Sequence, residues 1–272
     1  MSGQGPWAEG RSFLELLTLE RTGESSFRAP YVFDEPYPMF GGQVMAQGLL
    51  AASRTVPDGR APHSLHCYFL RAGDATVPTD IEVHVDRDGR RFSSRRLTAR
   101  QDGKVILTMA TSFHTGDDGP VGQCAQMPTV TPPQDAEPWL IPRVFSFEGR
   151  LAETDRPEAE LRSRWWARCT EDLGADAVLH ACAAAYVADI GAGTTAFDTE
   201  THRVALSLDN TMWFHRPIDA NAWMLVDLVP QVAAAGRGWF TGSVFAADGT
   251  LISSIAQETM HLEGIEYFEF GP

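Results

Sequence analysis

Polar side chains that could carry chemistry occur at three places where the sequence is otherwise apolar. Asp189 follows a run of residues that contains no Asp, Glu, Lys or Arg. Gln257 precedes Glu258 in L-I-S-S-I-A-Q-E, so one of the two faces inward, because side chains alternate along a strand. Ser207 and Asp209 lie two residues apart in V-A-L-S-L-D-N-T-M-W-F-H-R-P, and the same alternation predicts that both lie on one face of a single strand. Buried polar groups need partners, because leaving one unpaired costs about 1–3 kcal/mol.

Asp189 has the most unusual predicted setting of these residues. At the carboxyl end of a buried helix it would meet the negative end of the helix dipole, which is unfavourable by about 0.3–1 kcal/mol. Burial would also raise its pKa. The alternative is that the helix ends at Ala188 and that Asp189 is a solvated loop residue before Ile190. For Ser207 and Asp209 the alternative is a half-exposed strand with a polar outer face.

Several common catalytic motifs are absent from the sequence. There is no G-x-S-x-G nucleophile motif, no H-E-x-x-H and no group of Cys and His with zinc spacing, so we expect neither a metal nor a cofactor. Gly191–Ala196 fits G-x-G-x-x-A, but it follows a predicted helix instead of a strand and is not expected to bind a dinucleotide. His66, His180 and His215 are expected to be core or edge histidines, and only His180 has no simple exposed position.

The composition is that of an ordinary globular protein. The 272 residues carry a net charge of -14, which argues against nucleic acid as a partner, because such binding depends on Lys and Arg. No run of about 18 apolar residues occurs and no basic, apolar signal segment opens the sequence, so we expect no membrane association. Four cysteines without C-x-x-C spacing predict free thiols in a reducing cytoplasm: Cys67, Cys124, Cys169 and Cys182.

The chain contains two similar halves. Residues 42–54 and 176–189 each form a predicted helix that is apolar or small almost all round, with Asp176 as the N-cap of the second. Strands follow each helix, and Asp102-Gly103 and Asp248-Gly249 mark turns that lie 146 residues apart. A helix that is apolar on all sides must be wrapped by a sheet. The sequence therefore predicts two antiparallel α+β units whose sheets join edge to edge.

The boundaries of these units follow from composition. Residues 117–140 are rich in Gly, Pro and acidic residues, which is typical of a linker. We therefore predict an N-terminal unit over 1–116, a linker over 117–140 and a C-terminal unit over 141–272.

Six stretches together resemble the acyl-CoA thioesterase II (TesB-like) family. They are F-G-G-Q-V-M-A-Q-G-L, H-S-L-H-C-Y-F-L-R-A-G-D, R-D-G-R-R-F-S-S-R-R, Y-V-A-D, S-L-D-N-T-M-W-F-H-R-P and D-G-T-L-I-S-S-I-A-Q-E. The resemblance covers both halves and implies a double hotdog fold, in which two tandem units each wrap a long buried helix with an antiparallel sheet. It also implies hydrolysis of fatty acyl-CoA, medium-chain, long-chain or branched, to a free acid and CoA.

The resemblance assigns roles to individual residues. Asp189, Ser207 and Gln257 correspond to the Asp, Thr or Ser, and Gln with which the family orients and activates water. Asp209 then becomes a structural partner for Arg216 or for backbone amides. Residues 190–193 are smaller than the bulkier apolar run expected after the catalytic Asp. This difference leaves the catalytic assignment intact but affects the shape of the acyl pocket and therefore the choice of substrate.

Further expectations concern CoA, assembly and competing functions. Arg71, Arg91 and Arg95 lie near strand ends of the first half and suit phosphate recognition, although for each taken singly a solvated surface position is favoured. We expect a homo-oligomer, a dimer of double hotdogs or larger. Two other functions remain open: a non-catalytic acyl-CoA binding protein, and a hotdog hydratase or dehydratase, for which no His corresponds to the position opposite Asp189.

Overall fold

The first half of the chain consists of a short helix and two short strands, followed by a long helix and four longer strands. The computed structural model describes residues 10–35, 37–116, 118–141, 143–152 and 164–263. The elements of this half are α1 (Phe13–Leu16), β1 (Glu20–Arg21), β2 (Ser26–Ala29), α2 (Gly41–Ser53), β3 (Ala61–Phe69), β4 (Thr79–Asp88), β5 (Phe92–Gln101) and β6 (Lys104–His114).

The second half repeats the pattern of a long helix followed by a meander of strands. Its elements are β7 (Pro138–Trp139), β8 (Phe147–Leu151), β9 (Arg164–Cys169), α3 (Ala177–Ala188), a 3-10 helix (Gly191–Phe197), β10 (His202–Ser207), β11 (Asp209–Phe214), β12 (Met224–Ala234), β13 (Arg237–Ala246) and β14 (Leu251–Glu263). The segment predicted as a linker ends in β7, which pairs with β8. The unit boundaries themselves stay a prediction.

All strand pairs among the described residues are antiparallel and belong to one continuous sheet. The order is β1-β2-β4-β5-β6-β3-β11-β14-β13-β12-β9-β8-β7, and β10 pairs with β14. The two halves meet where β3 pairs with β11, with Cys67 opposite Asn210 and Leu65 opposite Met212. The predicted edge-to-edge join of two sheets is therefore present, and strands β11 and β14 of the second half follow directly after this join.

Helices α2 and α3 are buried against each other inside the curved sheet. They run antiparallel, because the start of α2 lies against the end of α3 and the Cys182 thiol reaches the Ala46 carbonyl at 3.5 Å. Both have the all-round apolar surface that requires such burial. Among the described residues only Ala177–Phe197 has the length and hydropathy of a membrane span, and 81% of that window is buried within the fold.

The Asp-Gly pairs form turns at equivalent places in the two halves. Asp102 and Gly103 have φ values of 47° and 75° and connect β5 to β6, as expected for a two-residue hairpin in which both residues need positive φ. Gly249 has a φ of 89° in the connection between β13 and β14. The prediction of two related hairpins is confirmed.

The strand predicted over residues 204–217 is interrupted in its middle. It consists of β10 and β11, and both pair with β14: Ser207 lies opposite Thr259, and Thr211 lies opposite Ala256. Over this interval the β10–β11 segment holds one residue more than β14 does, which defines a β-bulge. A bulge shifts the inward and outward alternation of side chains. Residues two apart across it therefore no longer share a face.

Candidate active site

Asp189 lies where the end of α3 meets the start of α2. It is the C-cap residue of α3 and only 4% exposed, so the expectation of a buried carboxylate is met and the solvated alternative is wrong. The backbone amide of Gly42 hydrogen-bonds this carboxylate. A Cβ atom added at Gly41 would overlap both the carboxylate and the Phe69 ring. Glycine at the start of α2 is thus required for this close approach.

Gln257 and Ser207 complete a connected group with Asp189. The Gln257 Nε2 atom donates to Asp189 Oδ1 at 2.6 Å and to Ser207 Oγ at 2.7 Å. The Ser207 hydroxyl also hydrogen-bonds the carboxylate. Gln257 is fully buried, whereas Glu258 is partly exposed and pairs with Arg237 at 2.9 Å. Of the two candidates on β14, it is therefore Gln257 that faces inward.

The surroundings of Asp189 adjust its acidity. Burial raises its pKa to about 6, while hydrogen bonds from Ser207 and Gln257, the charge of Arg143 and the Gly42 amide act in the opposite direction. The amino end of α2 also places the positive end of a helix dipole against the carboxylate, which offsets the negative end of α3. A carboxylate with a pKa near 6 is mostly ionised at neutral pH and is well matched to accepting a proton.

Asp209 lies beyond the bulge and does not join this group. Its Oδ1 atom accepts a hydrogen bond from the Glu258 backbone amide at 2.7 Å, so the carboxylate takes the place of a backbone carbonyl where the bulge interrupts the ladder. The prediction that Ser207 and Asp209 share one face is wrong for that reason. Of the two predicted partners, the backbone amide is correct, since Arg216 instead binds the Leu251 carbonyl at 2.6 Å.

Asn210 takes the inward position instead and was missed by the sequence reasoning. It is fully buried on β11, and its Nδ2 atom donates to Gln257 Oε1 at 3.2 Å. Its own Oδ1 atom is buried without a hydrogen-bond partner among the described residues. The sequence feature that could have indicated a further polar site residue is the pair Asp209-Asn210. Only the bulge, however, determines which of the two faces the site.

Arg143 is a second residue that the sequence reasoning missed. It lies in the second half of the chain, yet its guanidinium holds the segment before α2: Nε donates to Glu35 at 2.8 Å, and another nitrogen donates to the Pro38 carbonyl. The guanidinium also lies 5.8 Å from the ring centre of Phe40, the N-cap residue of α2. Its φ of 61° is unusual for a non-glycine residue. Arg143 therefore connects the two halves at the start of α2.

Comparisons with known proteins show which family the chain is similar to. Residues 33–114 match the acyl-CoA thioesterase N-terminal domain family, and residues 117–261 match the acyl-CoA thioesterase C-terminal domain family. The chain is also similar to acyl-coenzyme A thioesterase 8 of Homo sapiens, with 33% identity over 89% of this chain and 86% of that protein. The chain belongs to the acyl-CoA thioesterase family. It is likewise similar to acyl-CoA thioesterase 2 of Haemophilus influenzae, at 31% identity over 91% of this chain and 96% of the relative.

Solved structures confirm the fold of this acyl-CoA thioesterase family member. The acyl-CoA thioesterase II TesB2 from Mycobacterium marinum superimposes with a TM-score of 0.79 at 35% identity, covering 93% of this chain and 98% of that one. A protein from Alicyclobacillus acidocaldarius described as having a hot dog fold has a TM-score of 0.75 at 20% identity, covering 94% and 99%. The predicted double hotdog is confirmed.

The three arginines proposed for CoA recognition occupy different environments. Arg71 follows Phe69, whose ring borders Asp189, and donates to the Val105 carbonyl at 2.8 Å from an exposed position. Arg91 is exposed in the turn between β4 and β5. Arg71 stays a predicted contact for the CoA phosphates. Arg91 precedes the first residue of β5, whereas the other end of β5, at Gln101, lies near the start of α2, so Arg91 lies at the end of the fold away from Asp189.

Arg95 requires a correction. Its side chain is fully buried, forms an ion pair with Asp88 at 2.9 Å and donates to the hydroxyl and carbonyl of Thr55 at 2.8 Å. Thr55 follows the end of α2, whereas Asp189 lies at its beginning, about 20 Å away along a 13-residue helix. The guanidinium ties β5 to the end of α2, and we remove Arg95 from the substrate-binding candidates.

His180 has the structural role that the sequence favoured. Its Nδ1 atom accepts from the Ala220 amide at 3.0 Å and its Nε2 atom lies 3.1 Å from the Gly174 carbonyl, so both ring nitrogens are satisfied. Among the described residues, no cluster of three or more His, Cys, Asp or Glu side chains could hold a metal ion.

Proposed function

We propose that this protein hydrolyses acyl-CoA thioesters by direct attack of water. The observation that carries the proposal is the convergence of Asp189, Ser207 and Gln257 from three separate elements onto one buried group in a chain of the acyl-CoA thioesterase family. A protein that only bound acyl-CoA would not need to bury these three polar side chains together. Within the part of the chain that the structure describes, no histidine hydrogen-bonds Asp189, Ser207 or Gln257, which argues against the hydratase or dehydratase alternative.

In the proposed reaction Asp189 acts as general base. Water adds its oxygen to the thioester carbonyl carbon while one of its protons passes to the Asp189 carboxylate. The carbon–sulfur bond then breaks, and the sulfur of CoA leaves as a thiol after receiving that proton. Gln257 and Ser207 hold the carboxylate by hydrogen bonds, and the Ser207 oxygen keeps a lone pair that can accept a hydrogen from the water. The positive end of the α2 dipole, beside the carboxylate, favours negative charge as it develops in the site.

Ser207 is not a nucleophile in this mechanism. Its hydroxyl is engaged with Gln257 and Asp189, and it lacks the adjacent histidine base that usually activates a serine. We therefore expect no covalent acyl-enzyme intermediate, and the acid product should take its new oxygen from water.

The test is hydrolysis of octanoyl-CoA, in which a thiol reagent detects the free CoA that the reaction releases. Loss of a positioned general base costs about 10²–10⁴ in rate, so Asp189→Asn should lower kcat by that factor. Ser207→Ala should lower it by about 10- to 150-fold. The matched control is Asp176→Asn at the other end of α3, which should leave kcat unchanged. Near wild-type turnover by Asp189→Asn, or an acyl group on Ser207 detected by mass spectrometry, would contradict the mechanism.

The substrate class is proposed to be fatty acyl-CoA with a medium, long or branched chain. After Ile190, residues 191–193 are Gly, Ala and Gly, and a Cβ atom added at Gly193 would overlap the Phe240 ring. Phe240 lies directly opposite Gln257 in the sheet. The 3-10 helix after Asp189 therefore lies directly on this aromatic ring beside the site, and we propose that it forms one wall of the acyl pocket. Comparing octanoyl-, palmitoyl- and branched-chain acyl-CoA as substrates tests this proposal.

We also propose that two or more copies associate through the outer face of the central sheet. Large aromatic side chains are exposed there on β3, β11 and β13, with Tyr68 at 62%, Trp213 at 39% and Trp239 at 40%. Exposed aromatic residues of this kind are enriched in protein interfaces. Trp213→Glu should shift the mass measured by light scattering towards the monomer, whereas a wild-type protein that is already monomeric would contradict the proposal.

A cytoplasmic location and a role in fatty acid metabolism are part of the same proposal. The cysteines Cys67, Cys124, Cys169 and Cys182 are free thiols in the structure, which suits a reducing compartment. Localisation of the tagged protein in its own cells tests this part.

A further inference from the structure

We propose that Asn210 is a positioning residue that holds the side-chain amide of Gln257 in the one orientation that serves the active site. The inference rests on the proposed roles of Asp189 and Gln257. It assigns a function to a residue that the bulge between β10 and β11 turns inward, and it adds a fourth member to the group formed by Asp189, Ser207 and Gln257.

The first step of the argument is the chemistry of the Gln257 amide. An amide nitrogen carries two hydrogens to donate and the amide oxygen can only accept. The Gln257 Nε2 atom uses its two hydrogens on Asp189, at 2.6 Å, and on Ser207, at 2.7 Å. Rotation of the amide by half a turn would place its oxygen against the carboxylate, where two acceptors would repel each other. The site therefore works in only one of the two orientations.

The second step is the contact that selects this orientation. Asn210 Nδ2 donates to Gln257 Oε1 at 3.2 Å, and both side chains are fully buried. In the rotated state Asn210 would face the Gln257 nitrogen, and two donors would meet. Because water cannot replace a lost partner as readily in a buried site as at the surface, a mismatched pair there is costly. The Asn210 contact and the Asp189 contact thus favour the same orientation.

The third step concerns the position of Asn210 itself. Asn210 pairs with Cys67 across the join between the two halves. The next residue, Thr211, pairs with Ala256 of β14, so β11 is held on both sides from there on. The Asn210 Oδ1 atom has no hydrogen-bond partner among the described residues. A buried polar atom without a partner calls for an explanation. The one side-chain hydrogen bond that the described residues show for Asn210 is its donation to Gln257, so the explanation must lie in that contact.

The experiment compares variants of the full-length protein with octanoyl-CoA over a range of pH. Asn210→Ala removes the donor, and Asn210→Asp keeps the shape but offers acceptors to Gln257 Oε1. Both should lower kcat about 10- to 100-fold with little change in KM, because a small misplacement of a catalytic group is costly. Both should also move the acid limb of the kcat/KM profile to higher pH, because a misoriented Gln257 no longer lowers the pKa of Asp189.

The other groups that influence Asp189 do not obscure this readout. Arg143, whose charge lowers the pKa of Asp189, is present in all of these variants, so its influence is common to every profile. Burial raises the pKa of the nearby Cys67 thiol well above its usual value, so the thiol remains neutral near pH 6.

The matched control is Gln47→Ala. Gln47 is also a buried amide, with one bond to the Leu16 carbonyl at 2.9 Å and an unpaired oxygen, but it does not contact the Asp189 group. This variant should lose stability in thermal unfolding and keep the wild-type pH profile. A merely structural role for Asn210 would make its variants behave like Gln47→Ala.

A double variant shows whether Asn210 acts through Gln257. If it does, Asn210→Ala should have no further effect on kcat in a Gln257→Ala background. Multiplying effects, or single Asn210 variants with wild-type kcat and pH profile, would overturn the inference while leaving the proposed function in place. Wild-type activity of Gln257→Ala alone would overturn both the inference about Asn210 and the proposed catalytic role of Gln257. This outcome is distinguishable from a failure of the Asn210 inference alone.

Discussion

The two ends of the antiparallel helix pair have related positions and opposite chemistry. At the junction without catalytic residues, α3 begins with Asp176, which caps its own amides, and α2 ends with Arg54 as C-cap, donating to the Leu19 carbonyl at 2.9 Å. An acid at the start and a base at the end of a helix both complement the helix dipole. This junction is arranged for stability.

At the other junction these preferences are reversed. Helix α2 begins with Phe40, which provides no side-chain cap, and α3 ends with the buried acid Asp189. The first amides of α2 are therefore left for a carboxylate from the neighbouring helix. The equivalent position to Gln257 in the first half is Thr111, 146 residues earlier, and its hydroxyl simply binds the Ser64 carbonyl at 2.9 Å. In this protein the catalytic group therefore lies at the junction where α2 has no side-chain N-cap and α3 ends in an acidic residue instead of a basic one.

The largest effect on kcat is expected from adding a methyl group at the catalytic junction, where the start of α2 meets Asp189 at the end of α3. Gly41→Ala would place a Cβ atom onto the Asp189 carboxylate and the Phe69 ring, so Asp189 must move and kcat should fall at least about 100-fold. The matched control is Gly48→Ala in the same helix, where the added atom meets the flexible end of Met109 and activity should persist. Wild-type turnover by Gly41→Ala would break the comparison.

A second prediction concerns the free energy of unfolding. Because the pKa of Asp189 is raised from 3.8 to about 6 in the folded state, its favourable contribution is fully present below about pH 4 and is lost as the pH rises through 6. The change amounts to about 3 kcal/mol by pH 7. Asp189→Asn removes this loss. The free energy of unfolding of the variant, compared with that of the wild type, should therefore be more favourable at pH 7.5 than at pH 4.5.

Denaturant unfolding of both proteins at the two pH values measures this difference. An identical pH dependence in wild type and Asp189→Asn would show that Asp189 is not an ionised, buried group. The same substitution at the other end of the helix, Asp176→Asn, should show no such gain, because Asp176 is exposed.

A third prediction concerns the positive charge beside the catalytic junction. Arg143 lowers the pKa of Asp189, so Arg143→Gln should move the acid limb of kcat/KM upwards from about pH 6 and reduce activity most at low pH. The control is Arg168→Gln, which removes a comparable arginine that pairs with Glu148 at 2.7 Å and lies 4.7 Å from the Trp223 ring. An unchanged limb in Arg143→Gln would assign Arg143 to structure alone.

The smallest effect is expected at the junction without catalytic residues. Asp176→Ala removes the hydrogen bonds to the amides of Val178 and Leu179, which should cost about 0.5–2 kcal/mol of stability. The kcat for octanoyl-CoA should stay within about twofold of the wild type. A large loss of activity at constant stability would mean that this junction also contributes to catalysis.

The sequence by itself determined the repeating architecture and the candidate acid. Apolar residues all round two helices and Asp-Gly pairs at matching positions act through local propensity and burial, and these effects can be read over short stretches. The resemblance across both halves then singled out Asp189, Ser207 and Gln257. The structure brings these three side chains together as expected.

Only the tertiary structure decided which neighbours complete the site. One extra residue opposite β14 turns Asn210 inward in place of Asp209, because a bulge reverses alternation without leaving a periodic signal. The Gly42 amide reaches Asp189 only because two helices that are distant in sequence pack antiparallel. Arg95 is likewise buried by packing that the sequence pattern does not show. Such contacts depend on distance in space, which sequence periodicity does not encode.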